Sequence, residues 1–137
     1  MLIFIAHGSR KPEWRAAVEE LTGSIRTLIG TETVELAYMD HGPPLLSDVM
    51  AAAVAGGEKM IRVLPLFLVS SGHVTADIHP RIEHLRAEYP QVEIELLPAI
   101  GEHPLFRDFL VEIAGSASRE PGAENAPGTE SGPETVS

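Results

Sequence analysis

The chain has 137 residues, with twenty acidic side chains against ten basic ones and a formal net charge of -10 at pH 7. An acidic chain without a basic stripe argues against binding to nucleic acid or to anionic membranes. It contains no cysteine, which excludes disulfides and thiolate metal ligands. An apolar strand follows Met1 directly, and no apolar run approaches the ~18 residues of a membrane span, so we expect a cytoplasmic protein.

The composition divides the chain into a body and a tail. Residues 116–137 consist mostly of Gly, Pro, Ser, Glu, Ala and Thr. Such a segment buries too little apolar surface to offset the entropy lost on ordering. We therefore expect one domain over residues 1–115, long enough for a single core, and a disordered acidic tail over residues 116–137.

The first half of the body alternates strand and helix. The unbroken apolar run Leu2–Ala6 predicts a strand covered on both faces. A helix is predicted from Pro12, since proline is favoured at a first helical position, to Gly30. Residues Thr33–Met39 read as a second strand and Leu45–Val54 as a short helix. The residues expected to face inward on this helix are Leu45, Val49, Ala52 and Ala53.

The third strand and its helix are separated by small polar residues. The strand is predicted over Met60–Val69, followed by a loop over residues 70–76. Asp77 is expected to cap the next helix, which runs to about Tyr89. Pro80 then falls within the first turn, where proline is tolerated.

A fourth strand and helix complete the body. Val92–Leu97 alternates and is typical of an edge strand, and a last helix is predicted from Pro104 to Gly115. Because every strand is followed by a helix, we expect an α/β fold. Its flavodoxin-like parallel sheet has four strands in the order 2-1-3-4, with helices on both faces.

This strand order places two histidines together. His7 follows the first strand and His73 follows the third, and these strands are neighbours where the order reverses. Ligands of open α/β sheets bind at that crevice. Neutral imidazoles bind divalent transition metals and accept protons near neutral pH. Gly8 and Gly72, beside them, permit a close approach of the backbone to a ligand.

Other polar residues are predicted around the rim of this crevice. Arg10 and Lys11 start a helix and are suited to a carboxylate or phosphate, or else they are simply solvated. Asp40 and His41 end the second strand. They supply a carboxylate or a further ligand to the rim, or else they are a turn residue and an exposed imidazole.

Outside the rim, His84 and His103 are expected on the surface, and His79 lies closer to the rim. Trp14 is interpreted as a core residue or a subunit contact.

The motifs resemble those of the small, single-domain CbiX/SirB-type chelatases, which insert a divalent metal into sirohydrochlorin. The resemblance lies in His7-Gly8-Ser9-Arg10 after the first strand. It continues in residues 64–68, Leu-Pro-Leu-Phe-Leu, and in Ser71-Gly72-His73 with Asp77-Ile78. It covers the body and omits the tail. The family often has a glutamate and then a proline after the second strand, where this chain has Asp40.

The resemblance implies a chelatase-like fold and a metal-insertion reaction of siroheme or cobalamin-type biosynthesis. His7 and His73 would bind the metal and take up pyrrole protons. Ser9, Arg10, Gly72 and Asp40 would contact the tetrapyrrole, with Arg10 holding its carboxylate arms. The metal (Co²⁺, Fe²⁺ or Ni²⁺) would be a substrate, with no permanently bound cofactor. A homodimer is expected, because the family also has double-length members with two such domains.

Three other functions remain open at this point. The same two histidines suit a non-catalytic metal or tetrapyrrole carrier. A phosphate-handling enzyme is less favoured, because the chain lacks the common glycine-rich phosphate motifs. The third alternative is a regulatory flavodoxin-like module with incidental histidines.

Overall fold

The computed structural model describes residues 1–30, 33–68 and 72–119, with the side chains of residues 72–75 outside that description. The predicted alternation of strands and helices is confirmed. The elements in chain order are β1 (Leu2–Ala6), α1 (Pro12–Ile29), β2 (Val34–Tyr38), α2 (Leu46–Ala55), β3 (Met60–Pro65), α3 (Gly72–Glu88), β4 (Glu93–Leu96), a 3₁₀ turn (Ile100–Glu102) and α4 (Pro104–Ala117). Within the described ranges, none of the helices has both the length and the apolarity to cross a bilayer.

The sheet has the strand order predicted from the sequence. Its four strands are parallel and run β2-β1-β3-β4. Ile5 of β1 lies in register with Ala37 of β2 and with Pro65 of β3. The carboxyl ends of these three strands therefore reach the same edge of the sheet.

Helices pack on both faces. On one face, Ile3 and Val63 of the sheet pack with Met50 of α2 and Ile82 of α3 in a single buried cluster. On the other, a second cluster of sheet residues, including Leu36, packs against side chains of α1. The sheet is thus the middle layer of three, as a doubly wound fold requires.

The start of α3 differs from the prediction. The helix begins at Gly72, so Asp77 lies within it and is not its N-cap, and Pro80 lies in its interior. β3 ends at Pro65, well before Val69. Ile78, Ile82 and Leu85 are buried as expected and fix the helix on the sheet. α3 then extends towards its amino end through residues of weak helix propensity, because tertiary packing overrides helix propensity.

The prediction for the inward face of α2 is confirmed for Ala53, which is buried, and for Val49, which packs against the core, but not for Leu45 and Ala52. Leu45 forms an isolated bridge with Tyr38 and has an extended backbone, so it precedes the helix. The buried residues of α2 are Leu46, Met50 and Ala53, whereas Leu45 and Ala52 are exposed.

The last helix continues to Ala117, two residues beyond the predicted end at Gly115. Residues 120–137 of the expected tail lie outside the described residues, as do Val69 at the end of the predicted third strand and residues 70–71 of the predicted loop.

Candidate active site

His7 is the first residue after β1, and its side chain is exposed at the carboxyl edge of the sheet. Its ring packs against that of Phe67, with 4.4 Å between the ring centroids and 36° between the planes. Phe67 follows the end of β3 and is only 4% exposed. A fixed aromatic ring from one strand exit therefore supports the imidazole of its neighbour.

The segment that carries Phe67 is itself held by the 3₁₀ turn. The amide of Gly101 donates to the carbonyl of Phe67 at 3.0 Å. A Cβ at Gly101 would lie 1.6 Å from the carbonyl oxygen of Leu68. Only glycine permits this approach, so the connection between β4 and α4 is in direct contact with the exit from β3.

The exits from β1 and β2 are joined through their main chains. The amide of Asp40 donates to the carbonyl of His7 at 3.1 Å. Gly8 has a φ of +94°, and a Cβ there would lie 2.1 Å from the carbonyl oxygen of Asp40. The glycine after His7 is thus required by both backbone conformation and space. As a result, His7 and Asp40 leave the sheet side by side.

Arg81 of α3 holds the end of β2 from one side. Its Nη1 donates to the carbonyl of Met39 at 2.7 Å. Its Nη2 lies 3.8 Å from Oδ1 of Asp40, and both side chains are substantially exposed. This partial pairing places a positive charge beside the carboxylate that the sequence assigned to the rim.

Arg15 of α1 holds the same loop from the other side. Its Nη1 donates to the carbonyl of His41 at 3.2 Å, and its Nη2 donates to that of Pro43. Its guanidinium carbon lies 4.6 Å from the ring centroid of Tyr38. Burial, followed by the charge of Glu19, raises the pKa of Tyr38. The loop after β2 is therefore clamped between two helices.

Ser9 and Arg10 lie in the turn from β1 into α1. The Ser9 hydroxyl accepts a hydrogen bond from the amide of Lys11 at 3.1 Å, which orients the entry into the helix. The side chain of Arg10 is exposed, and Ser9, Arg10, Arg15 and His41 line a shallow cavity.

Cationic side chains are concentrated at this edge. Arg10, Lys11, Arg15 and Arg81 lie on the segments that form it, and they are four of the ten cationic side chains in a chain of net charge -10. Glu19 and Asp40 lie among these cations, so the edge is less acidic than the chain as a whole and better able to attract an anionic ligand.

The second predicted histidine is only partly accounted for. Gly72 is the first residue of α3 and His73 the second. The side chain of His73 lies outside the described residues, so its position opposite His7 stays a prediction. Among the side chains that are described, no three His, Asp or Glu residues come together as a metal site.

Three residues of the site were not found from the sequence, namely Phe67, Arg15 and Arg81. Phe67 stands in a motif but reads as a strand residue, and arginines in helices read as solvated. Of the other histidines, His84 is exposed as expected, and His103 caps α4 by accepting from the amide of Leu105. Trp14 is 36% exposed, and its ring centroid lies 6.1 Å from that of Tyr38.

Comparisons with known proteins agree with this architecture. The family profile described as CbiX matches residues 1–117. A chloroplastic sirohydrochlorin ferrochelatase from Arabidopsis thaliana is 28% identical over 78% of this chain and 48% of its own length. A sirohydrochlorin cobaltochelatase from Methanopyrus kandleri is 31% identical over 64% of this chain and 61% of its own. The chain thus spans about half the length of such relatives.

A solved structure matches over nearly its full length. It is that of a CbiX protein from Marinobacter aquaeolei VT8, with a TM-score of 0.73 and 30% identity. The match covers 85% of this chain and 94% of the other. The same body therefore occurs both in chains of this length and in chains about twice as long.

Proposed function

Because the chain belongs to the CbiX family, we propose that it is a chelatase that inserts divalent cobalt, iron or nickel into sirohydrochlorin. The observation that carries the proposal is the placement of His7. Its imidazole is exposed at the carboxyl edge of the sheet, is supported by Phe67, and lies on the strand exit next to that of Asp40. This is an accessible metal ligand at the position where an open α/β sheet binds its ligands.

The proposed reaction exchanges two protons for one metal ion. The incoming M²⁺ loses its waters, and the two pyrrole N–H groups of the macrocycle release their protons as the metal–nitrogen bonds form. His7 and His73 would hold the ion on one side of the ring and accept these protons. General-base assistance of this kind contributes roughly 10²–10⁴-fold to a rate.

The rim would position the macrocycle. Arg10 and the main chain near Ser9 would bind carboxylate arms, and Gly72 would let the backbone approach the ring. Asp40, with Arg81 beside it, would contact another part of the macrocycle. The concentration of cations at this edge supports the assignment, since a polycarboxylate would be attracted there and repelled elsewhere.

A homodimer is part of the proposal. A domain of this size has a radius of gyration of about 13 Å, so one crevice would leave much of a flat tetrapyrrole exposed. A second copy would supply the missing wall. Support comes from relatives such as the Arabidopsis protein, of which this chain covers 48% and which has room for a second body.

The test is the reaction itself. The purified chain is mixed under anaerobic conditions with sirohydrochlorin and Co²⁺, Fe²⁺ or Ni²⁺, and the absorbance change of the macrocycle is followed. We expect catalysed insertion that falls by about 10²-fold or more in His7→Ala and His73→Ala. His84→Ala is the matched control, because that side chain is 80% exposed and its imidazole lies beside Glu88 of the same helix. Wild-type rates in His73→Ala would overturn its assignment.

The same assay separates the carrier alternative. A carrier binds metal or tetrapyrrole in proportion to its own concentration, whereas an enzyme converts many equivalents. Insertion that stops at one equivalent per chain would favour the carrier, and continued turnover would exclude it.

A further inference from the structure

The last helix of the chain has no partner among the described residues. Phe106 is the only residue of α4 that is even half-buried, and the helix otherwise meets mainly the 3₁₀ turn before it. Neither buried cluster of the core contains a residue of α4. Its large apolar side chains are instead 48–70% exposed, and they are Leu105, Phe109, Leu110, Val111 and Ile113.

Such a helix is not stable by itself. Isolated helices shorter than about 12–15 residues are marginal in water, and most helical stability in proteins comes from packing an apolar face. α4 has 14 residues. Phe106, Phe109, Leu110 and Ile113 recur at spacings of three and four, which places them on one face. α4 therefore needs a surface on which to bury this face.

The α1 side of the sheet offers such a surface. Leu64 and Leu66 of the β3 segment and Leu2 of β1 are only partly buried there. Leu2 and Leu97 also line a shallow cavity beside the Arg62–Glu95 ion pair. This floor, which we call the open half-face, lies over β3 and β4, whereas two helices pack on the opposite face of the sheet.

α1 supplies a wall for the open half-face. Arg26 bonds Glu35 and the carbonyl of Val34, so its side of the helix faces β2. Leu21 and Leu28 lie on the opposite side of the helix by their spacing from Arg26. They are 54% and 85% exposed, large apolar residues with no cover. The wall and the leucines of the floor form a groove with an apolar part at Leu2, Leu64 and Leu66, which is bordered over β4 by the exposed Arg62–Glu95 ion pair.

We propose that α4 of each copy packs into the open half-face of a second copy of this chain. The exchange is reciprocal, so a two-fold dimer buries both grooves and both helices and leaves neither face open. The chain's own tail is a poor occupant, because Val136 is the only large apolar residue beyond Arg119. A second copy also agrees with relatives whose single chain is about twice as long. The partner is that of the homodimer proposed above, and metal insertion is not assumed.

The oligomeric state tests the face of α4. Ile113→Glu places a carboxylate on the apolar face, and we expect it to raise the dissociation constant of the dimer by more than about 100-fold. Val111→Glu is the matched control, because Val111 is 65% exposed on the opposite side of the same helix, and it should leave the dimer intact. Both are measured by sedimentation. An equal effect of the two substitutions would overturn the proposal.

Cross-linking tests the exchange. Since the chain has no cysteine, Leu64→Cys and Ile113→Cys introduce single thiols at the floor and on the helix. A mixture of the two variants with a short bifunctional thiol cross-linker should give a covalent dimer. A mixture of Leu64→Cys with Asp108→Cys should not, because Asp108 lies on the opposite side of α4. If a chain that carries both Leu64→Cys and Ile113→Cys cross-links only within itself, α4 packs on its own sheet and the proposal fails.

The two proposals fail separately. If the Ile113→Glu variant is still a dimer and still inserts metal, only the proposal of an exchanged α4 is contradicted. If the dimer exchanges α4 but the protein does not insert metal, only the chelatase proposal is contradicted.

Discussion

The imidazole of His7 rests on the buried ring of Phe67, with 4.4 Å between their centroids. The two residues come from the exits of β1 and β3, which are neighbours in the sheet. An exposed imidazole packed against a buried ring keeps its orientation without losing access to solvent. The first prediction follows from this contact.

Replacing Phe67 by leucine should weaken metal use without unfolding the protein. An aromatic contact of this kind contributes about 0.5–1.5 kcal/mol, so we expect metal affinity or kcat to fall by up to about tenfold. Phe4→Leu is the control, because Phe4 is similarly buried but belongs to the cluster on the other face. Titration with Co²⁺ and the rate of insertion measure the effect, and the contact is unimportant if both variants behave alike.

Gly8 should not tolerate a side chain. Gly8→Ala would place its Cβ 2.1 Å from the carbonyl oxygen of Asp40, so the two strand exits must separate. Gly57→Ala is a matched control, since Gly57 also has a positive φ, of +90°, but has nothing within 4 Å. We expect the control to lose about 1–2 kcal/mol of unfolding free energy from backbone strain alone.

Gly8→Ala should lose more stability than this control and most of its metal insertion. Urea unfolding and the absorbance assay measure the two effects. Equal losses in the two variants would show that the contact with Asp40 has no role.

Arg81 and Arg86 provide a paired test on one helix. Each donates to a main-chain carbonyl of a neighbouring segment, Met39 for Arg81 and Ile94 for Arg86. Replacement of either by glutamine should cost about 1 kcal/mol or somewhat more of unfolding free energy. Only Arg81 lies beside Asp40, so only Arg81→Gln should raise the KM for the tetrapyrrole. A similar rise in Arg86→Gln would contradict a role at the rim.

The raised pKa of Tyr38 predicts a loss of stability in alkali. Burial raises it above the ordinary value of 10.0, so the unfolded chain releases this proton first. Stability is therefore complete below about pH 10 and falls as the pH rises towards the pKa of the folded state. Tyr38→Phe should flatten this fall in urea unfolding between pH 9 and 11.

The pKa of Tyr89 is also raised, by burial and by Glu88. The variant that lacks both tyrosine hydroxyls should therefore show the smallest alkaline loss. If Tyr38→Phe follows the same curve as the unmodified chain, the hydroxyl of Tyr38 is not the responsible group.

The sheet could be predicted from the sequence because its signal is local and strong. Unbroken apolar runs such as Leu2–Ala6 fit strands covered on both faces, and strict alternation with helices restricts the topology. The start of α3 could not be predicted, because Gly72 and Thr75 have weak propensities and Asp77 is a common helix cap. Packing of Ile78 and Ile82 decides the helix, and that packing is visible only in three dimensions.

The site was predicted in part for the same reason. His7 follows from the end of an apolar run, and Asp40 from the next strand. The clamps made by Arg15 and Arg81 depend on which carbonyls their side chains reach, which no spacing reveals. Likewise, the apolar residues of α4 predict a packed helix in the sequence, whereas the structure leaves these side chains largely exposed, which no spacing reveals.

The close approach of Gly101 to Leu68 has a mechanical consequence. The 3₁₀ turn that carries Gly101 leads directly into α4, while Leu68 adjoins the ring that supports His7. The 14-residue helix α4 is thus connected to the end of β3 through the close backbone contact between Gly101 and Leu68. We expect a change in the orientation of α4 to shift Phe67 and, with it, the imidazole of His7, so that the proposed dimer and the proposed metal site would be coupled.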